Sequence, residues 1–244
     1  MKLTIGYLYP HQMNIYGDRG NIITLQKRCE WRDIEVVVNE YDLGSKIEGG
    51  ENDLYFFGGG QDQEQVLASQ DLQTKTTVLK QDFQDGAVFL SICGGYQLLG
   101  KYYQDSSGKK LAGIGLVDTY TVFSTKRMIG NLILEINPQL GNFKPTTLVG
   151  FENHSGKTYL GPEVKPLGKV IKGSGNNGED GTEGATYKTF FGCYLHGSLL
   201  PKNPHFADFL LELAIKRKDP DFKLEHLDDS VELKAHQKAI EMFR

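Results

Sequence analysis

The chain has no run of 18 consecutive apolar residues and no charged-then-apolar leader, so neither a membrane span nor a secretory signal is expected. Cysteine is scarce. Cys29, Cys93 and Cys193 are an odd number and too widely spaced for a disulfide framework, which points to a reducing cytoplasm. An excess of positive charge is also missing: 27 Lys and Arg against 31 Asp and Glu leave a net charge of −4, which argues against a nucleic-acid binder. Glycine is abundant by contrast, at 29 of 244 residues, or about 12% where roughly 7% is usual. The glycines cluster, as tight turns and close backbone approaches require. With 39% hydrophobic and 24% charged residues the composition is that of a soluble globular protein long enough to bury a substantial core.

The first half alternates two kinds of segment. Leu3–Tyr9, Ile34–Tyr41, Asp53–Phe57 and Ala87–Ile92 read as strands, and Asp18–Arg32 and Gln61–Gln84 as helices. Strands apolar on both faces and separated by helices predict a parallel sheet covered on both sides. After Gly100 short strand-like segments (Leu111–Val122, Ile129–Ile136, Thr146–Phe151, Phe190–Leu195) are joined by Gly, Asn and Pro turns and read as antiparallel additions to the same core. Gly173–Gly184 reads as an exposed hairpin loop, and Pro204–Lys218 and Ser230–Phe243 as helices. No internal repeat or long linker is evident. The expectation is one α/β domain over residues 1–244, with three layers, a mostly parallel sheet, helices on both faces and antiparallel additions in the second half.

The sharpest chemical signal is Ser91-Ile92-Cys93-Gly94-Gly95-Tyr96-Gln97. A buried strand delivers Cys93 to its end, and two glycines permit an abrupt turn into a helix, as a nucleophile elbow requires. There the helix dipole favours the thiolate, and the Gly94 N–H is free to face an oxyanion. Cys93 alone also fits a small buried hydrophobe. Gly58-Gly59-Gly60 ends another strand at the same sheet edge, where it either presents N–H groups or simply makes a tight turn. A thiolate needs a proton shuttle. His196, which closes the strand-like Phe190–Leu195, is the candidate, and His154 is its competitor. His11, His205, His226 and His236 lie in polar stretches and read as solvated. Gly156-Lys157-Thr158 lacks P-loop spacing, so no ATP site is assigned to it. No metal site is expected either, since Cys193 and His196 have no second ligand pair.

Taken together, the Gly-rich strand end, the Cys-Gly-Gly-Tyr-Gln elbow and the late strand ending in His resemble class I (triad) glutamine amidotransferases of the cobyric-acid-synthase type. The similar stretches include Met13–Asp18 with Gly20-Asn21, Phe57–Asp62, Gly150–His154 and Gly175-Asn176-Asn177, and of these the Asn14–Asp18 opening and Asn153-His154 narrow the resemblance to the glutaminase subunits of lipid II isoglutaminyl synthases. This likeness implies that the Cys93 thiolate attacks the side-chain amide of glutamine. N–H groups near Gly59 and of Gly94 would hold the oxyanion, and His196 would move the protons. It also implies that Arg127 binds the substrate α-carboxylate, otherwise a surface arginine, and that Gln97 lines the pocket. Many relatives carry His-x-Glu, whereas here the residues are His196-Gly197-Ser198. The acid that orients His196 must then come from elsewhere, a partner chain included.

No cofactor is expected in this chain. The resemblance places ATP on a MurT-like, Mur-ligase-like partner in a heterodimer that amidates the α-carboxyl of D-glutamate in lipid II, at the inner face of the membrane. Ammonia would pass between the subunits by a shielded path. Two alternatives stand beside this: a glutaminase for another acceptor such as a corrinoid carboxylate, which a fused upstream ATP-binding region would favour and which this sequence does not show, and a silent α/β binding or scaffold module. The tail Pro220–Arg244 reads as a charged, solvated helix, with a docking helix as the alternative.

Overall fold

A computed structural model describes residues 1–243. β1 (Lys2–Leu8) leads through α1 (Arg19–Glu30) to β2 (Glu35–Tyr41). β3 (Leu54–Phe57) leads through α2 (Asp62–Gln84) to β4 (Val88–Ile92), and the six-residue α3 (Gly94–Leu99) leaves the end of β4. The second half contributes β5 (Tyr102–Gln104), β6 (Lys110–Ala112), β7 (Thr119–Ile136), β8 (Thr147–Leu160), β9 (Gly168–Lys172), β10 (Thr182–Glu183), β11 (Ala185–Tyr187) and β12 (Phe190–Cys193). α4 (Pro204–Lys216) and α5 (Ser230–Phe243) close the chain.

The first sheet has the order β11-β12-β4-β3-β1-β2, parallel except for β11 at one edge. Every residue of β3, β4 and β12 is buried, as strands covered on both faces must be. The units β1-α1-β2 and β3-α2-β4 run outward in opposite directions. Right-handed crossovers therefore put α1 and α2 on opposite faces and open a crevice beyond the strand ends where the direction reverses. α4 packs against α1, and α2 against β6. The expected α/β architecture is the observed one.

Phe190–Leu195, expected as an antiparallel addition, instead supplies β12, which runs parallel to β4 inside the first sheet because all four of its residues are covered on both faces; β5 to β10 form a second, mostly antiparallel sheet. Its order is β10-β9-β7-β5-β6, with β8 also on β7. The sequence reading divides β7 into two segments and stops β8 at Phe151. In the structure β7 runs for 18 residues and β8 for 14, antiparallel, with the register shifted between Phe123 and Met128. The physical reason is visible in β8. Its inward residues beyond Phe151 are Glu152, His154, Gly156 and Thr158, so buried and half-buried positions alternate without an alternation in hydropathy. Gly173–Gly184 contains the expected hairpin connection, between antiparallel β9 and β10, exposed at Gly178–Gly181 but anchored inside at its base. Glu152 accepts hydrogen bonds from the N–H groups of Ser174 (2.7 Å) and Gly175 (2.9 Å), and Asn176 and Asn177 are buried.

The tail also packs inward. Arg28, buried on α1, is ion-paired to Asp208 of α4 at 2.6 Å and to Asp229, just before α5, at 2.7 Å. On α5, His236 is buried and stands 2.9 Å from the Thr147 hydroxyl of β8. His205 of α4 is partly buried and bonds the Thr147 carbonyl at 3.0 Å. Both histidines thus depart from the solvated reading, because the helix faces that carry them are covered by β8. Arg244, the last residue of the predicted tail helix, lies outside the described residues.

Candidate active site

Four chain segments converge at the C-terminal edge of the first sheet: the turn after β1, the glycines after β3, the elbow after β4 and the residues following β12. Cys93 stands at the elbow with φ +50° and ψ −107°, a conformation rarely adopted by a residue with a side chain. The elbow is held on both sides. The Cys93 N–H donates to the Cys193 carbonyl at 2.8 Å, and the Cys93 carbonyl accepts from the Gln97 N–H at 2.9 Å. Gly95 allows the turn, since a Cβ there would lie 2.5 Å from the Phe57 carbonyl oxygen. The thiol borders an open cavity of about 620 Å³, whose walls include Tyr16, Gly60, Gln97, Arg127 and His154.

His196 is fully buried next to the elbow. A Cβ on Gly59 would come within 2.8 Å of His196 Cε1 and 3.3 Å of Cys93 Cβ, so this glycine lets the two side chains approach. His196 Nδ1 lies 3.3 Å from Asp18 Oδ1, and the other carboxylate oxygen of Asp18 accepts the Gly59 N–H at 2.7 Å. Burial works against the imidazolium, yet the Cys93 thiolate and the Asp18 carboxylate outweigh it and raise His196 to about 10. The edge of the Tyr16 ring covers the imidazole at a centroid distance of 5.0 Å.

Asp18 is the acid that the sequence reading sought elsewhere. It belongs to this chain, so no partner residue is needed to orient His196. The reading missed it because Asp18 stands at the predicted start of α1, where an acid has an ordinary capping role. The available signal was its place in the connection that follows a parallel strand, at the same sheet edge as Gly58–Gly60 and Cys93.

The other predicted residues divide. Arg127 reaches the cavity from the irregular part of β7, and its Nε donates to Asn153 Oδ1 at 2.6 Å. Gln97 lines the cavity as expected, but both ends of its amide are engaged. Its Oε1 accepts from Gln65 at 2.7 Å and its Nε2 donates to the Tyr194 hydroxyl at 3.0 Å. Gly59 requires a correction as an oxyanion donor, because its N–H is already committed to Asp18. Of Gly58–Gly60, Gly60 lines the cavity, and its nitrogen lies 3.3 Å from where a Cβ on Gly94 would be. His154, the competing histidine, is stacked on Tyr194 at 3.5 Å and bonds the Gly156 carbonyl at 2.8 Å. Burial lowers it to about 4, so at neutral pH it is an uncharged wall residue.

Residues 4–204 match the model of the CobB/CobQ-like glutamine amidotransferase domain. The chain belongs to this family. Within this amidotransferase family it is 43% identical over 240 residues to the lipid II isoglutaminyl synthase (glutamine-hydrolyzing) subunit GatD of Staphylococcus aureus, covering 98% of this chain and 96% of that one. The GatD subunit of Streptococcus pneumoniae is 41% identical over 218 residues, covering 89% and 82%. Among solved structures, a glutamine amidotransferase from Thermotoga maritima superposes with a TM-score of 0.57 at 15% identity, over 98% of this chain and 94% of that one, a likeness of fold.

Proposed function

We propose that this chain is the glutaminase subunit of a lipid II isoglutaminyl synthase. The observation that carries the chemistry is the Cys93 elbow beside a buried His196–Asp18 pair on the wall of an open cavity. The acceptor follows from the nearly full-length similarity to subunits bearing that name. A core cluster that includes buried residues of both sheets supports treating residues 1–244 as one functional unit.

In the reaction, the Cys93 thiolate attacks the side-chain carbonyl carbon of L-glutamine, forming a C–S bond. The Gly94 and Gly60 N–H groups flank the elbow and stabilise the oxyanion. Collapse of this intermediate breaks the C–N bond, and the His196 imidazolium gives its proton to the departing nitrogen, releasing ammonia. A water molecule, deprotonated by His196, then attacks the thioester, releasing glutamate and restoring the thiolate and imidazolium. Asp18 keeps the imidazole oriented throughout. The Arg127 guanidinium pairs with the α-carboxylate of the substrate, a planar bidentate target.

Ammonia at neutral pH is largely protonated in water and poorly nucleophilic, so it passes directly to the partner subunit. That partner, a MurT-like protein with a Mur-ligase fold, uses ATP to activate the α-carboxyl of D-glutamate in lipid II; this chain contributes no cofactor and no metal. Among the described residues no helix is long and apolar enough to cross a membrane, and in this reading the lipid-linked acceptor brings the complex to the inner face.

The test is glutamine-dependent amidation of lipid II by the purified two-subunit complex. Replacing Cys93 by Ala should abolish activity with glutamine and spare activity with a high concentration of ammonium salt. Full glutamine-dependent activity in the Cys93→Ala complex would defeat the proposal. A second test is reconstitution with the purified partner: failure to amidate lipid II while glutamine is hydrolysed would reassign the acceptor.

A further inference from the structure

Arg127 projects into the cavity from the stretch of β7 where pairing with β8 is interrupted between Phe123 and Met128. Among the described residues no carboxylate lies within ion-pair range of it. Its anchor is the side-chain amide of Asn153 on β8, which does two things at once. Oδ1 accepts from Arg127 Nε at 2.6 Å, and Nδ2 donates to the Tyr16 hydroxyl at 2.8 Å. Tyr16 sits in a left-handed backbone conformation, φ +54°, two residues before Asp18, and its ring covers His196. One amide therefore joins the cation of the cavity to the loop that roofs the catalytic imidazole.

The bond to Asn153 uses the Nε of Arg127 and leaves the two terminal nitrogens to face a planar anion. An arginine on an irregular, exposed strand segment would otherwise sample many rotamers, and holding Nε removes part of that ordering from the binding step. The geometry points to Asn153 as a positioning residue for substrate selection, one that aims Arg127 at the α-carboxylate of glutamine and ties that aim to the Tyr16 roof. This rests on the glutaminase reading and names a device within the same site. Asn153 touches neither the scissile amide nor Cys93 in this role, so its removal should act on recognition of the carboxylate and not on the reactivity of the thiol.

The experiment compares two electrophiles on the full chain, alone and in its complex. The glutamine analogue 6-diazo-5-oxo-L-norleucine carries the α-carboxylate, whereas iodoacetamide does not. In Asn153→Ala the labelling of Cys93 by the analogue should slow by about 10-fold or more, while alkylation by iodoacetamide stays within about twofold of wild type. With glutamine as substrate, KM should rise by a similar factor and kcat should change little. Tyr16→Phe, which keeps the ring over His196 and removes only the acceptor hydroxyl, should shift the same quantities in the same direction by a smaller factor, about two- to fivefold. Equal slowing with both reagents in both variants would make Asn153 a structural part of the strand and overturn the inference. Unchanged labelling by the analogue in both variants would overturn it too, while leaving the glutaminase reading intact. If wild-type Cys93 did not react with the analogue at all, that reading would fail and this inference with it.

Discussion

The Asp18 carboxylate stands 3.3 Å from the His196 imidazole across a sequence separation of 178 residues, and both side chains are sealed from water. The same carboxylate grips the Gly59 N–H, so a single acid sets the position of the imidazole and of the glycine between it and Cys93. Charge, orientation and close approach at the elbow all pass through this group.

Replacing Asp18 by Asn keeps the size of the side chain and removes its charge. We expect kcat for glutamine hydrolysis to fall by roughly 10- to 100-fold. Loss of the negative charge lowers the pKa of His196, so the imidazolium is lost at a lower pH. The alkaline limb of the kcat/KM profile should therefore move toward neutrality. A limb that stays in place would show that Asp18 does not act on the imidazole.

Arg127→Ala should raise KM for glutamine by roughly 10- to 100-fold, the effect of removing a charge-assisted bidentate partner. Steady-state kinetics with glutamine, set against inhibition by a glutamine analogue whose α-carboxyl is amidated, separates this from a general loss of folding. The analogue should bind wild type and variant about equally.

Glu183 is fully buried, with one oxygen accepting the Tyr194 N–H at 2.5 Å and the other without a partner among the described residues. Burial raises its pKa from 4.5 to about 8. An acid whose folded pKa is raised contributes stability below its unfolded value and loses that contribution as pH rises through the folded value. Glu183→Gln should therefore gain stability relative to wild type between pH 4.5 and 8, with the advantage largest near the upper end. Urea midpoints at pH 5 and pH 8 measure it, and a pH-independent difference would refute the assignment.

Removing the Arg28 side chain leaves Asp229 without its buried cation and Asp208 with Arg32 alone. Arg28→Ala should destabilise the fold by about 3 kcal/mol or more. The lost clamp lies between α1, α4 and the approach to α5, so hydrogen exchange should rise first in the C-terminal helix. Unaltered protection of α5 would show that this helix does not depend on the Arg28 clamp.

The sequence by itself determined the parallel sheet, because fully buried strands must be apolar on both faces and such runs are legible without coordinates. It also determined Cys93, since the strand–Cys-Gly-Gly–helix pattern is a local requirement of an elbow. His196 could be selected as the end of a late strand. The tertiary structure decided what depends on distant segments meeting. It placed Asp18 beside His196, committed the Gly59 N–H to Asp18 and engaged the amide of Gln97 with Gln65 and Tyr194. It also joined the strand segments on either side of residues 124–127 into one long β7. Those outcomes escape local reading for a physical reason: hydropathy periodicity records burial of apolar side chains, whereas the inward face of β8 and the surroundings of His196 are built from buried polar groups whose partners lie tens to hundreds of residues away.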